Sequence, residues 1–284
     1  MPTKTIFVTG ATGNQGGATA RHLLKNGFHV KALTRNASSA KAKQLKELNA
    51  EVVEGNLDDP SSYSHHLKGV DAVFCVSIFI KGVEREIRQG INLANAAKEN
   101  GIQYFLFSSV VGADMNTGIP HWESKFKIEN HIKQTGLPYT IIRPSSLYDN
   151  FLIPQVKSRL LKGNLVVPLS KDTIQQFISA EDIGRISAAI FMNREKYMNQ
   201  TLGLAAEEMN QTQLAETFSK AWGKKVNFRK LPGFITRLVM GKDLYTMFTW
   251  VNNNDALFVK DIEACKKEFP GMLSLEDWIR DHFK

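Results

Sequence analysis

The sequence predicts an α/β protein, a doubly wound parallel sheet with a smaller C-terminal α/β lobe. Three observations carry this expectation. Short apolar or β-branched runs alternate with helical patterns through the first half of the chain, the first run opens into a glycine cluster at the head of a helix, and the rhythm breaks after Arg143-Pro144. Alternation of this kind implies parallel strands with helices on both faces of the sheet.

Taken in order, residues 5–9 read as the first strand and 15–26 as the helix that follows the glycines. Residues 30–34, a helix near 39–48 and a strand at 51–54 continue the pattern. Residues 71–77 read as a buried strand, 84–100 as a helix closed by Gly101, 104–108 as a strand, 122–135 as a helix closed by Gly136, and 139–143 as the sixth strand. Beyond it come a helix near 151–162, a strand at 165–168, a helix at 180–192, a segment 199–204, a helix at 211–222 and an aromatic-rich tail. The expected division is residues 1–150 for the first domain and 151–284 for the lobe, with about 165–205 returning to the first body.

Composition bounds the function. A chain of 284 residues, 43% hydrophobic and 23% charged, is large enough for one generous core or a core plus an appended lobe, which argues against disorder. Residues 1–7 carry neither the basic flank nor the apolar run of a signal peptide. The most apolar stretch, 72–80, is far shorter than the about 20 residues of a membrane helix, so a cytoplasmic protein with no membrane association is expected. Cys75 and Cys265 are too few and too far apart for a disulfide framework or a Cys-based metal site. The adjacent His65 and His66 point in different directions from a helix, and no metal is expected. The net charge of +8 comes from lysines and arginines scattered among acids; that pattern disfavours nucleic acid and suits an anionic small ligand.

The glycine cluster gives that ligand a chemistry. Gly10, Gly13 and Gly16 form G-x-x-G-x-x-G between a strand and a helix. The first glycine permits the tight turn, the second lets a pyrophosphate approach the backbone, and the third allows close packing of helix on strand. The helix N-terminus then offers unpaired N–H groups and a positive dipole end to the phosphates. Gly10, Thr12, Gly13, Asn14, Gln15 and Gly16 are therefore the expected cofactor contacts of a Rossmann loop. An NAD site would carry an acidic residue at the end of the second strand, but that strand ends in Arg35-Asn36. A guanidinium grips a 2′-phosphate where a carboxylate would repel it, so the expected cofactor is NADP(H). Asn56 and Leu57 follow the third strand at the adenine edge, although Asp58-Asp59-Pro60 is also a sufficient turn. Ser77 and Ser108 end the fourth and fifth strands, where ligands of open α/β sheets bind, and Pro144 ends the sixth near the expected nicotinamide end.

Together GATGNQGG, Arg35, EGNLDD, FSSV, Lys125 ahead of TGLPYTIIRP, YDNF and FISAEDIG give a resemblance. The chain is similar to the NmrA-like branch of the atypical short-chain dehydrogenase/reductases, from its first strand to beyond residue 230. The resemblance implies a Rossmann domain that binds NADP(H), a smaller C-terminal lobe, and one of two careers, redox-sensing regulator or reductase of quinones and related carbonyl compounds. Typical short-chain reductases use Tyr-x-x-x-Lys on the helix after the fifth strand, where i,i+4 spacing puts both side chains on one face. Here His121 stands in the tyrosine slot and Lys125 in the lysine slot. An imidazole beside an ammonium is driven toward its neutral form and donates protons poorly. Either His121 acts through a relay, or Lys125 donates the proton as in the similar benzylic ether and isoflavone reductases, or Lys125 only anchors the nicotinamide ribose.

Tyr148 and Phe151, with Phe177, are candidate walls of a substrate pocket or core residues. The Met- and aromatic-rich segment 234–250 is a candidate lid, a protein-binding face, or ordinary packing of the lobe. Three functions stay open from the residues: an NADP(H)-binding cytosolic redox sensor, an NADPH-dependent oxidoreductase, and an interaction scaffold whose Rossmann domain is a relic.

Overall fold

In the computed structural model, which describes residues 4–79 and 82–283, the first half of the chain is a regular strand-helix alternation. Met1–Thr3 of the segment read as leader-free, and Ile80 at the end of the apolar stretch, lie outside the described residues. The elements are β1 (Thr5–Val8), α1 (Asn14–Lys25), β2 (His29–Thr34), α2 (Ala40–Glu47), β3 (Glu51–Glu54), β4 (Ala72–Val76), α3 (Val83–Glu99), β5 (Tyr104–Ser108), α4 (Pro120–Thr135) and β6 (Tyr139–Pro144). The second half contains β7 (Ser146–Leu147), α5 (Pro154–Leu161), β8 (Asn164–Val167), β9 (Ile174–Ile178), α6 (Ala180–Met192), α7 (Arg194–Tyr197) and β10 (Gln200–Leu204). It ends with β11 (Glu207–Asn210), α8 (Gln211–Trp222), β12 (Asn227–Lys230), α9 (Gly233–Asn254), α10 (Ile262–Glu268) and α11 (Leu275–His282).

The chain divides into two units. The first holds residues 4–79, 82–114, 121–143 and 180–202, and the second holds 115–120, 144–179 and 203–283. The first is organised by a seven-stranded sheet in the order β10-β6-β5-β4-β1-β2-β3, in which β1 pairs in parallel with both β2 and β4. From β1 the chain winds outward through β2 and β3 on one side and through β4, β5 and β6 on the other. The order reverses between β1 and β4, so a crevice opens outside the carboxyl ends of those two strands.

Burial explains why these strands are central: AVFCV and YFLFS present apolar side chains to both faces of the sheet. Phe7, Val73, Cys75, Phe105, Phe107 and Ile141 face one side, where they pack with Leu93 and Ala97 of α3 and Ile128 and Ile132 of α4. Alternation sends Ile6, Val8, Phe74 and Leu106 to the other face, where α1 and α6 lie together. That helix pair is close because its facing residues are small: a Cβ on Gly184 would sit 2.4 Å from the Ala18 carbonyl carbon.

The second unit has its own core and two small sheets, ordered β11-β9-β7 and β12-β8. Tyr148, Phe151, Phe177, Phe218 and Trp278 are its aromatic centre. The helix expected over 151–162 is instead a 3-10 turn at Tyr148–Leu152 followed by α5. Pro154 holds Ile153 at φ −54°, ψ 127°, off the helical region, as residues before proline are held. Segment 234–250 lies in α9, which breaks at Gly241 (φ 83°) and exposes Phe234, Leu238 and Val239.

Candidate nucleotide site

The glycine loop follows β1 and ends at Gly13, the N-cap of α1. Gly10 has φ +60°, and a Cβ there would meet Val76 Cγ1 at 2.7 Å. A Cβ on Gly16 would lie 2.4 Å from the carbonyl oxygens of both Thr9 and Gly10, so the helix could not start this close to the strand with any side chain there. Gly13 differs: it is exposed, with ordinary extended backbone. The protein's own sterics demand the first and third glycines; at the second a Cβ would crowd the Gly10 carbonyl oxygen at 3.1 Å, less severely, and the backbone there is open toward solvent. Gly13 makes no side-chain cap, so the first-turn amides of Asn14, Gln15 and Gly16 are available to an anion. Thr12 is half-buried in the same turn. Thr9 pins the loop to β4, its hydroxyl accepting from Val76 N at 3.0 Å. Ser108 Oγ donates to Gln15 Oε1 at 2.6 Å, which joins the end of β5 to α1. These features fit the pyrophosphate of a dinucleotide.

At the end of β2, Arg35 is exposed, and among the described residues its guanidinium has no hydrogen-bond or ion-pair partner. The turn beneath it is fixed by Asn36 N donating to Thr34 Oγ1 at 3.2 Å and Ser38 N donating to Asn36 Oδ1 at 2.9 Å. Gly55 N donates to Thr34 O at 2.9 Å, so the β3 loop bearing Asn56 and Leu57 lies alongside. Asn56 spends its side-chain oxygen on Asp58 N within that loop, and Leu57 packs partly on the core. Arg85 and Gln89 of α3 reach over to Asp58, and the Arg85 hydrogen bond holds that carboxyl below its usual range.

The other end of the crevice is built from buried charge. Lys125 Nζ donates to Ser77 O at 2.9 Å, Ser77 Oγ at 3.1 Å and Ser108 O at 3.3 Å, and lies 3.1 Å from Glu86 Oε1. Glu86 is fully buried and also accepts from Ser77 Oγ at 3.2 Å and Ser124 Oγ at 2.5 Å. Close approach of α3 and α4 makes this contact possible: Gly90, one turn beyond Glu86, has Ile128 where a Cβ would be, at 2.7 Å. His121 stacks on Phe79, with ring centroids 4.4 Å apart and planes at 20°. One turn along α4 from Lys125, buried Glu129 takes a bidentate pair from Arg143, at 2.9 and 2.6 Å, and a 2.5 Å hydrogen bond from Ser109. Burial pushes the Cys75 thiol up to about 12, so it is no thiolate despite its place near the end of β4.

Gly10 to Gly16, Ser77, Ser108 and Lys125 thus come together, with Arg35, Asn56 and Leu57 on the neighbouring strand ends. Pro144 closes β6, and the following Ser145 N donates to Leu204 O at 2.9 Å. Tyr148 and Phe151, expected as pocket walls, are in the aromatic core of the second unit. Tyr148 stacks on Phe177 and Phe151 lies edge-on to Phe218, while Tyr148 Oη donates to Glu207 at 2.8 Å. Packing is the reading the structure supports for both rings.

Sequence reading missed Glu86 and Glu129. A signal was present. Glu86 is in register with Gly90, Leu93 and Ala97 on the buried stripe of α3, and Glu129 shares the stripe of α4 with Lys125 and Ile132.

A model of the NmrA-like family matches residues 2–279. An NmrA-like family domain-containing protein of Dictyostelium discoideum is 31% identical over 258 residues, covering 84% of this chain and 83% of that protein. Among solved structures, the NADPH-dependent quinone oxidoreductase QOR2 of Escherichia coli, complexed with NADPH, superposes with TM-score 0.81 at 23% identity, covering 98% of this chain and 100% of that one. NmrA, a negative transcriptional regulator solved in complex with NADP, gives 0.80 at 22% identity, covering 100% and 96%.

Proposed function

The chain belongs to the NmrA-like family, and from that premise we propose that it is a cytoplasmic NADP(H)-binding redox sensor. The amides of the Gly10–Gly16 turn would hold the pyrophosphate, Arg35 a 2′-phosphate, and Lys125 the nicotinamide ribose. When bound, the cofactor supplies hydride chemistry. The observation that carries the sensor reading is the bonding of Lys125: its three ammonium protons already face four oxygen acceptors, on Ser77, Ser108 and Glu86. An exchange of one of these oxygens would admit a ribose hydroxyl, whereas giving the proton itself to a reduced carbonyl would strand the buried Glu86 carboxylate without its counter-ion, and the His121 ring is stacked on Phe79. A sensor also needs an output surface. Phe234, Leu238 and Val239 of α9, the most exposed large apolar side chains among the described residues, are where a protein partner would be sought.

Sensing requires that the two redox forms, or the bound and empty states, be distinguished energetically. Calorimetric titration with NADPH and NADP⁺ tests this: the expected result is a difference in affinity of at least about fivefold, roughly 1 kcal/mol. Equal affinity for both forms, with no change in hydrogen exchange on binding, overturns the sensor reading. A second reading, NADPH-dependent reduction of a quinone or aldehyde, is favoured by Lys125 standing four residues after His121 on the helix that follows β5. A quinone can take its proton from water, so a fully engaged ammonium does not forbid the reaction. NADPH consumption over a quinone and aldehyde panel decides between them.

A further inference from the structure

Glu86 is the carboxylate in contact with Lys125, no motif announces it, and its environment is specific. It is a fully buried carboxylate on the first turns of α3, held by two serine hydroxyls and one ammonium, directly behind the strand ends that border the crevice. Taking a carboxylate out of water is costly, and an apolar side chain would pack there without that cost. What the carboxylate adds is charge balance. Lys125 and Glu86 together present a net charge of zero to whatever lies over Ser77 and Ser108.

We propose that Glu86 sets the redox discrimination of the cofactor site, by cancelling the Lys125 charge that would otherwise repel an oxidised nicotinamide. The ring is cationic in NADP⁺ and neutral in NADPH, so an uncompensated ammonium nearby penalises one form and leaves the other almost untouched. Glu86 acts through Lys125 and is a positioning residue. This inference rests on the cofactor reading above and adds to it the regulation of that site. Removing the carboxylate leaves the ammonium in place, because Ser77 O, Ser77 Oγ and Ser108 O still accept from it. At an effective dielectric of about 40–60, between a protein surface site and bulk water, one unit charge about 6 Å from the ring would change binding by about five- to tenfold.

The experiment is titration of the full chain with NADP⁺ and with NADPH at pH 6.5, comparing the ratio of dissociation constants. Glu86→Gln is expected to weaken NADP⁺ by about five- to tenfold and NADPH by less than about twofold. Lys125→Met, which leaves the carboxylate, is expected to move the ratio the opposite way, whatever it costs both forms through the ribose. The double variant Glu86→Gln with Lys125→Met is expected to restore the wild-type ratio. A merely structural role for Glu86 would weaken both forms alike, and that result, or an unchanged ratio, overturns the inference while leaving the cofactor reading intact. A wild-type chain that binds neither form overturns both. Should Glu86→Gln fail to fold, the comparison moves to Lys125→Met against the double variant, which buries no lone charge. Identical ratios in those two overturn the inference.

Discussion

Two buried carboxylates on neighbouring helices have been given different cations. Glu129 meets the guanidinium of Arg143 through two parallel hydrogen bonds, and a third nitrogen of that guanidinium reaches Asp114 at 2.6 Å. Glu86 meets the ammonium of Lys125 through one oxygen, with Ser77 and Ser124 filling the rest of its shell. Both carboxylates carry a desolvation cost, so the difference lies in what each cation can do next. A guanidinium is a planar fork that fits one partner and stays. An ammonium is a point charge on a flexible stem, able to trade one oxygen for another. The first pair fastens β6 to α4, and the second sets a point charge beside the ends of β4 and β5.

The largest test of this contrast is folding stability. Arg143→Met strands Glu129 in the interior with only Ser109 and a distant Lys133, at 3.9 Å, to support it. The expected cost is about 3–4 kcal/mol, read from the midpoint of urea unfolding. Lys125→Met should cost less, roughly 1–2 kcal/mol, because two hydroxyls go on donating to Glu86. Equal losses would break the distinction and make both pairs simple fasteners.

The contrast also marks what the sequence made legible. Gly10, Gly13, Gly16 and Arg35 are local signals, each interpretable from its distance to a strand end, and in the structure they follow the carboxyl ends of the paired strands β1 and β2. The Lys125 position followed from a helix register. Glu86 did not, because an acidic residue in the first turns of a helix is already explained by the helix dipole. Only its place on the stripe with Gly90 and Leu93 marks it as buried, and a stripe interrupted by charge reads as noise until α3 and α4 are seen together. The second unit was less legible for another reason. Its strands β9 and β11 are short, with alternation broken by Gln175, Gln176 and paired glutamates, and α9 has no single apolar face.

A guanidinium can also be compared with a guanidinium. Arg143 is half-buried and engaged at all three guanidinium nitrogens, whereas Arg35 is exposed and, among the described residues, unpaired. If Arg35 is kept for a 2′-phosphate, Arg35→Ala should weaken NADPH by roughly 2 kcal/mol, about thirtyfold, and leave NADH affinity as it was. Unfolding free energy should change by less than about 0.5 kcal/mol. Equal loss for both nucleotides in calorimetry would remove Arg35 from the site and return the NADP(H) preference to an open question.

The smallest effect belongs to the exposed counterpart of these pairs. Glu181 of α6 accepts from Arg21 at 2.6 Å and shares a 2.7 Å contact with His22, both on α1, so it ties α1 to its neighbour. The His22 hydrogen bond, helped by Arg21 against a burial penalty, lowers the Glu181 carboxyl to about 2. A folded value below the unfolded one, near 4.3, means the carboxylate stabilises the native state above that pH. The contribution is lost as pH falls toward 2. With 44% of the side chain exposed, water and salt screen the pair, and only about 0.5–1 kcal/mol should survive. Glu181→Gln should therefore cost that much at pH 7 and nothing at pH 2, with the gap closing between pH 4.5 and 2. A gap that persists at pH 2 would mean that the α1–α6 packing around Ala18 and Gly184, rather than the charge, holds this edge of α1.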